Sequence, residues 1–293
     1  TAEEEAQVQA DFKEQIDQMI AQYASQVDES ITDEDAKYAE EEKLFKAALK
    51  SSGWNYNTYL KMIEDDVRGA AIGNKYMESL YSGVNVTEED AKAYYDEQLA
   101  AKKAEYAETP AQFYTDYSNA ISGSDTVGVL TVPEGYRFCK HILIKKAEEG
   151  DTTKNVNQIV EEVKAKLADG VDFDKLVEEY GEDPGMKEEP YKTEGYLISE
   201  NTLDKYYDGF GIAAISLKNI GDVSNPVETE AGYHFIQYTS DAEVKDTPFE
   251  DVKQAIIDKL TEDEKVAIYN DCLAKWKEEI KIEKYYDRVS GIK

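Results

Sequence analysis

The chain contains only two histidines, His141 and His234, and their surroundings suggest that they act together. Each lies in a short run rich in β-branched and aromatic residues, 140–144 and 232–236. Such runs favour β-strands, from which each imidazole would point off one face. Paired side by side, the two strands would bring the rings together. We expect non-covalent chemistry there, because neither a serine elbow nor a cluster of metal ligands accompanies the histidines. Two core histidines that only satisfy each other would give the same pattern.

A small α+β domain over residues 131–243 is predicted to position the two histidines. Its first strand covers 137–144, its last strand 233–238, and 223–228 is predicted as an edge strand. Apolar residues at three- and four-residue spacing between them predict helices, one of which closes at Gly170. Because strands and helices follow one another within about 110 residues, the fold class is α+β.

The remaining segments, 1–130 and 244–293, are predicted to form a helical domain, in which residues 1–108 are helical and the rest of the first segment is largely a linker. The second helix is expected to begin near Thr32, whose hydroxyl can cap it, and a later one begins at Thr87 with the same device. Residues 118–133 show no helical stripe and are predicted to connect the domains. The last helix is expected to open with a capping box at Thr247. Since its apolar stripe needs a partner, we expect one helical domain built from both ends of the chain.

Composition limits the partners of this chain. It has 63 Asp and Glu against 33 Lys and Arg, so its formal net charge is −30, which repels nucleic acids and anionic membranes. No run of about 18 apolar residues occurs, so no membrane span is expected. The chain opens at Thr1 without a signal peptide, and we expect a processed or trimmed chain. Cys139 and Cys272 are too few for a disulfide scaffold; the sequence leaves their bridging open, and buried free thiols are expected.

Residues 137–240 resemble the parvulin family of peptidyl-prolyl isomerases in the order and spacing of their motifs. The matching runs are Lys140-His141-Ile142-Leu143-Ile144, Gly170-Val171-Asp172-Phe173, Tyr180-Gly181-Glu182-Asp183-Pro184-Gly185, Gly221-Asp222-Val223-Ser224-Asn225-Pro226-Val227 and Thr229-Glu230-Ala231-Gly232-Tyr233-His234-Phe235-Ile236. The flanking helices look like those of the secreted PrsA/SurA foldases. The resemblance implies a parvulin-like α+β isomerase domain inserted between two parts of an all-helical chaperone domain.

The resemblance also implies roles for individual residues. Four are expected to be catalytic: His141, Asp183, Thr229 and His234. Four are expected to bind substrate: Phe210 under the proline ring, Leu197 in a reduced Gly-Gly-x-Leu-Gly motif, and Leu203 or Tyr206 at the usual methionine position.

The implied function is a peptidyl-prolyl cis-trans isomerase and foldase that rotates X-Pro bonds without metal or cofactor. Its implied partners are unfolded or partly folded secreted proteins and proline-containing peptides, and not nucleic acid. The resemblance implies an extracytoplasmic protein, held by a lipid anchor outside this sequence to the outer face of the cytoplasmic membrane. Parvulins that act on phosphorylated substrates carry an arginine-rich loop after the first strand. The corresponding loop here, 145–150, is mixed in charge, so the resemblance does not imply phosphorylated substrates.

Alternatives to this function stay open at the level of sequence. The chain could be a non-catalytic holdase chaperone with a degenerate parvulin domain, or a cell-surface protein that uses the fold as an interaction module. Whether two copies of the chain associate is also left open.

Overall fold

The computed structural model describes residues 1–147 and 155–279. The chain divides into two compact units. The first joins Thr1–Val84 to the described residues from Lys265 onward, and the second is Asn85–Glu264. Among the described residues, no helix has the length and apolar character needed to cross a lipid bilayer.

Two sequence predictions reach beyond the described residues. The end of the predicted C-terminal helical segment, residues 280–293, lies outside them, and so do residues 148–150 of the mixed-charge loop. The predicted domain boundaries at 130 and 243 stay predictions.

Three helices form most of the first unit: α1 (Ala2–Ala21), α2 (Glu34–Ser51) and α3 (Tyr56–Tyr81). They share a hydrophobic core cluster of buried residues, Ile16, Ile20, Phe45, Leu49 and Ile63. The cap of α2 is Asp33 and not the expected Thr32, since the Asp33 carboxylate accepts the Ala36 N–H at 2.9 Å. Asp33 stands three residues before that amide, which is the spacing that capping requires.

The helices of the second unit are α4 (Glu88–Glu108), α5 (Gln112–Ile121), α6 (Val156–Ala168), α7 (Phe173–Tyr180), α8 (Phe210–Ser216) and the beginning of α9 (Phe249–Glu279). Thr87 and Asp90 form the expected cap of α4, each accepting the other's backbone N–H, at 3.2 and 2.9 Å. The capping box predicted at Thr247 is wrong. Its hydroxyl donates to the Val129 carbonyl at 2.6 Å, and the helix begins at Phe249.

The last helix has apolar partners along its length, as its stripe requires. Val252 and Ile256 pack with Ala91 of α4 inside the second unit. Further along, the Trp276 ring lies 5.7 Å from the Tyr76 ring of α3 inside the first unit. A long amphipathic helix is stable only with such contacts.

The second unit contains an antiparallel sheet in the order β2-β1-β4-β3. Its strands are β1 (Arg137–Lys145), β2 (Tyr196–Ile198), β3 (Val227–Glu228) and β4 (Gly232–Asp241). One face carries Ile142, Ile144 and Phe235 and packs against α6 and α7. The other face carries Cys139 and Ile236 and packs against α8. Because side chains alternate along a strand, His141 and His234 lie on the α8 face.

The register places the histidines diagonally across β1 and β4. Leu143 lies opposite His234, and Ile236 lies opposite His141. Diagonal neighbours on one face of an antiparallel pair are close enough for large side chains to meet. The α+β fold and the pairing of the two histidine strands are therefore as predicted. The register adds that His234 lies two residues along β4 from Ile236, the residue opposite His141.

Candidate active site

The two imidazoles meet in the interior of the second unit. Their Nδ1 atoms are 3.0 Å apart and their rings are nearly parallel, at an interplanar angle of 19°. Only 5% of His141 and 1% of His234 is exposed. Each ring also has a partner at its other nitrogen: Asp183 Oδ2 lies 2.8 Å from His141 Nε2, and Thr229 Oγ1 lies 2.8 Å from His234 Nε2. The four residues predicted to be catalytic are thus brought into one hydrogen-bonded chain.

Thr229 is held by the turn that joins β3 to β4. Its backbone N–H donates to the Gly232 carbonyl at 2.8 Å, and its hydroxyl accepts the Ala231 N–H at 3.2 Å. The same hydroxyl lies 2.8 Å from His234 Nε2 and 3.3 Å from the Gly232 carbonyl oxygen, so this buried group has hydrogen-bond partners on several sides. Buried polar groups require such satisfaction, so the turn fixes the orientation of the His234 ring.

Hydrogen bonding and burial shift the pKa values of Asp183 and His234, two of these four hydrogen-bonded residues. Burial would raise the pKa of Asp183, but hydrogen bonds from His141 and Tyr196 outweigh it and lower the pKa to about 2. Burial, and then repulsion from His141, lowers the pKa of His234 to about 4. At neutral pH Asp183 is therefore an anion and His234 is neutral. One set of tautomers fits a neutral His234 and an ionised Asp183: Thr229 donates to His234 Nε2, His234 Nδ1–H donates to His141 Nδ1, and His141 Nε2–H donates to Asp183.

Tyr196 joins this chain although the sequence did not single it out. Its hydroxyl donates to Asp183 Oδ2 at 2.8 Å, and its ring lies 5.5 Å from the His141 ring. Burial and the hydrogen bond to Asp183 raise the pKa of this phenol. Tyr196 occupies the variable position of the reduced Gly-Gly-x-Leu-Gly motif, and only its pairing opposite Cys139 on β1 directs it to the site.

Gly185 gives the Tyr196 hydroxyl the room it needs. A Cβ atom at residue 185 would lie 2.1 Å from the Tyr196 oxygen. The Gly185 N–H also donates to Asp183 Oδ1 at 3.2 Å, so both carboxylate oxygens are engaged. The motif Asp183-Pro184-Gly185 therefore supplies both the carboxylate and the glycine that lets the Tyr196 hydroxyl come close to it.

An aromatic wall stands over the histidines. The Phe210 ring lies 5.2 Å from both imidazoles and meets each edge-on, at 86° and 79°. Tyr206 stacks on Phe210 at 5.6 Å, and its hydroxyl donates to the Leu197 carbonyl. The wall and the histidines line one cavity of about 650 Å³, to which Asp183 and Tyr207 also contribute. Its floor is polar and its wall apolar, which is typical of a ligand site.

The side chains of Leu197 and Leu203 lie elsewhere. Leu197 is 2% exposed and packs with Phe113 and Tyr136, on the face of β2 away from the histidines. Alternation along the strand explains this, because Tyr196 and Ile198 occupy the face that Leu197 cannot share. Leu203 packs over Gly211 of α8. Of the two alternatives for the methionine position, Tyr206 is the one that lines the cavity.

Other reactive groups do not assemble into a second kind of site in the described part of the chain. No group of three His, Cys, Asp or Glu residues there could hold a metal ion. Cys139 and Cys272 are free thiols; Cys139 is buried, as expected, whereas Cys272 is only half-buried. Burial raises the pKa of Cys139 to about 12, so it is an inert member of the core.

Comparison with known proteins agrees with this geometry. Residues 141–240 match the family model described as the PPIC-type PPIase domain. Foldase protein PrsA of Clostridium botulinum is 28% identical over 261 residues, covering 89% of this chain and 64% of that protein. Foldase protein PrsA of Clostridium tetani is 26% identical over 273 residues, covering 93% of this chain and 75% of that protein. The chain thus spans 64% of the length of the Clostridium botulinum relative.

Two solved structures are similar over most of the chain at low identity. A SurA-like chaperone of Campylobacter jejuni is 22% identical, with a TM-score of 0.38 and coverage of 92% of this chain and 94% of that one. The PrsA peptidylprolyl isomerase of Bacillus anthracis is 21% identical, with a TM-score of 0.28 and coverage of 92% and 96%. The histidine pair, its partners and the family match together identify residues 141–240 as a PPIC-type PPIase domain of the parvulin family, within a PrsA-like chain.

Proposed function

We propose that this chain is a peptidyl-prolyl cis-trans isomerase and foldase. The reaction is rotation about an X-Pro amide, which crosses a barrier of about 20 kcal/mol because rotation removes the resonance of the amide bond. No bond is made or broken. The catalyst therefore needs only to favour the twisted amide over the planar one.

The observation that carries this proposal is the apolar wall of Phe210 and Tyr206 over a buried polar floor. A proline ring seated on Phe210 brings its amide into a cavity from which water is largely displaced. The planar amide is more charge-separated than the twisted one, so loss of hydration raises its free energy more. Asp183 acts in the same direction, because its negative charge opposes the partial charge on a nearby carbonyl oxygen.

Within this proposal, the histidines and Thr229 form a rigid floor. His141 contacts the substrate amide and orients Asp183, while His234 and Thr229 fix the ring of His141. Tyr206 extends the proline pocket beside Phe210. The two leucines predicted to bind substrate, Leu197 and Leu203, receive no contact role.

The clients we propose are unfolded or partly folded proteins with exposed prolines, outside the cytoplasm. The similarity to PrsA foldases over most of the chain supports this assignment. A lipid anchor outside this sequence remains a prediction, and the association of two copies of the chain stays open. Suppression of client aggregation without proline exchange would favour the holdase alternative.

A prolyl-peptide exchange assay on the full chain tests the enzyme. We expect Phe210→Ala to lower kcat/KM by about tenfold or more, because loss of an aromatic contact of about 1.4 kcal/mol has that effect. His141→Ala should act in the same direction. Ile212→Ala is the matched control, since Ile212 lies on the same helix and is 65% exposed. Rates unchanged by Phe210→Ala and His141→Ala would reject this site.

A further inference from the structure

The helix α5 precedes the segment matched by the parvulin family model, yet it contributes to the isomerase cavity. Tyr114 of α5 lines that cavity together with the histidines and Phe210. Its ring meets the Tyr206 ring edge-on, at 6.2 Å and 80°. No sequence motif indicated this role, because Tyr114 lies beside a stretch predicted to be a connection.

Aromatic contacts hold α5 against the sheet. Phe113 is 1% exposed, and its ring lies edge-on to Tyr136 at 4.7 Å. One turn later, the Tyr117 ring lies 6.1 Å from Phe138 of β1, and its hydroxyl donates to Glu194 at 3.0 Å. The helix therefore has a fixed position relative to the cavity.

Helix geometry then determines where Tyr114 points. Phe113 and Tyr117 are four residues apart and share the face that packs on the sheet. Tyr114 follows Phe113 by one residue, which turns it about 100° around the helix axis. That rotation places its ring at the cavity, where it is half-buried.

Three rings lead from α5 to the histidines, in the order Tyr114, Tyr206 and Phe210. In the proposed function, proline is seated against Phe210. A residue that flanks proline in the bound peptide then lies over the two rings farther from the histidines, Tyr206 and Tyr114. The outermost of these, Tyr114, presents an apolar ring face and edge with little entropy to lose on binding.

We propose that Tyr114 is a substrate-binding residue of the isomerase, contacting apolar side chains that flank the proline. The inference rests on the proposed function for the identity of the ligand. It extends the peptide site beyond the parvulin segment to a helix that precedes it.

The test uses the full chain and two short peptides, one with leucine on both sides of proline and one with glycine on both sides. Binding is measured from the NMR shifts of the two histidines. Tyr114→Ala should weaken binding of the leucine peptide by about two- to tenfold and leave the glycine peptide nearly unchanged. Tyr114→Phe should retain the wild-type affinity, because the ring remains. Thr115→Ala, exposed on the same helix, is the control.

In turnover the same variant should raise KM for the leucine peptide and leave kcat unchanged, which a general loosening of the fold would not do. Equal affinity of wild type and Tyr114→Ala for the leucine peptide, or equal losses for both peptides, would overturn the inference. A wild-type chain that binds peptide without accelerating exchange would refute the proposed enzyme, and the affinity series would still decide the role of Tyr114.

Discussion

Two titratable residues of the site are held in different charge states, Asp183 as an anion and His234 as a neutral ring. Asp183 stays ionised because His141, Tyr196 and the Gly185 amide all donate to it. His234 stays neutral because it is buried beside another imidazole. Titrations of wild-type and substituted chains test both charge states.

Tyr196→Phe should raise the pKa of Asp183 from about 2 toward the ordinary value of 3.8, because the carboxylate loses a donor. A ¹³C NMR titration of the carboxyl group measures the change. Tyr191→Phe is the control, since its ring lies 4.8 Å from the Tyr196 ring without a hydrogen bond to Asp183 in the described structure. An unaltered Asp183 titration in Tyr196→Phe would contradict the role given to this hydroxyl.

His234 should remain neutral until the pH falls to about 4, well below the ordinary histidine pKa of 6.5. Above pH 6.5 the ring is neutral in both the folded and the unfolded chain. Between pH 6.5 and 4 only the unfolded chain takes up the proton, so stability falls as the pH falls through this window. Asp183 causes a further loss of stability between pH 3.8 and about 2, because in this window the carboxyl group is protonated in the unfolded chain and still ionised in the folded chain.

Histidine NMR signals report the first of these changes directly, since the chain has only two histidines. Urea unfolding at pH 7 and 5 measures the consequence. His234→Asn should lose less stability between these two pH values than the wild type does. A His234 signal that titrates near pH 6.5 would show that the ring is not buried as described.

At the scale of elements, α5 connects the core of the second unit to the cavity. Its Phe113 side chain is almost fully buried among Tyr106, Tyr136 and Tyr117. Phe113→Ala should therefore lower the free energy of unfolding by about 3–5 kcal/mol, because it leaves a cavity as well as losing apolar burial.

Urea unfolding measures that loss, and Thr115→Ala on the exposed face of α5 is the matched control. If α5 positions Tyr114, the folded Phe113→Ala chain should also bind the leucine peptide more weakly than wild type. A loss of stability below about 1 kcal/mol would mean that α5 is not packed as described.

At the scale of the whole molecule, the net charge of −30 opposes the compact state. Surface ion pairs such as Lys13 with Asp17 favour it, but exposed pairs contribute little each. We expect the thermal midpoint to rise when sodium chloride is increased from about 0.01 to 0.5 M, because the Debye length then shortens below the spacing of most surface charges. An equal osmolality of sucrose controls for general solute effects, and a midpoint that falls with salt would show that the ion pairs dominate.

Much of this molecule was predictable from local patterns. The β-branched and aromatic runs around His141 and His234 indicated the strands, and side-chain direction along a strand depends only on position. The Thr87 cap followed in the same way from residues within one turn. The cap of α2 and the start of α9 were missed by one or two residues, since several neighbouring side chains could cap and the choice depended on contacts elsewhere.

Local sequence patterns were sufficient to predict two histidines on strands of an α+β domain flanked by helices. Long-range packing set the diagonal register that joins their Nδ1 atoms, the side of β2 that Tyr196 takes from Leu197, and the placement of Tyr114 at the cavity. These two sets of features differ in the range of the interactions on which they depend. Strand and helix preferences depend on residues a few positions apart, whereas register and cavity lining depend on packing between residues that are distant in the chain.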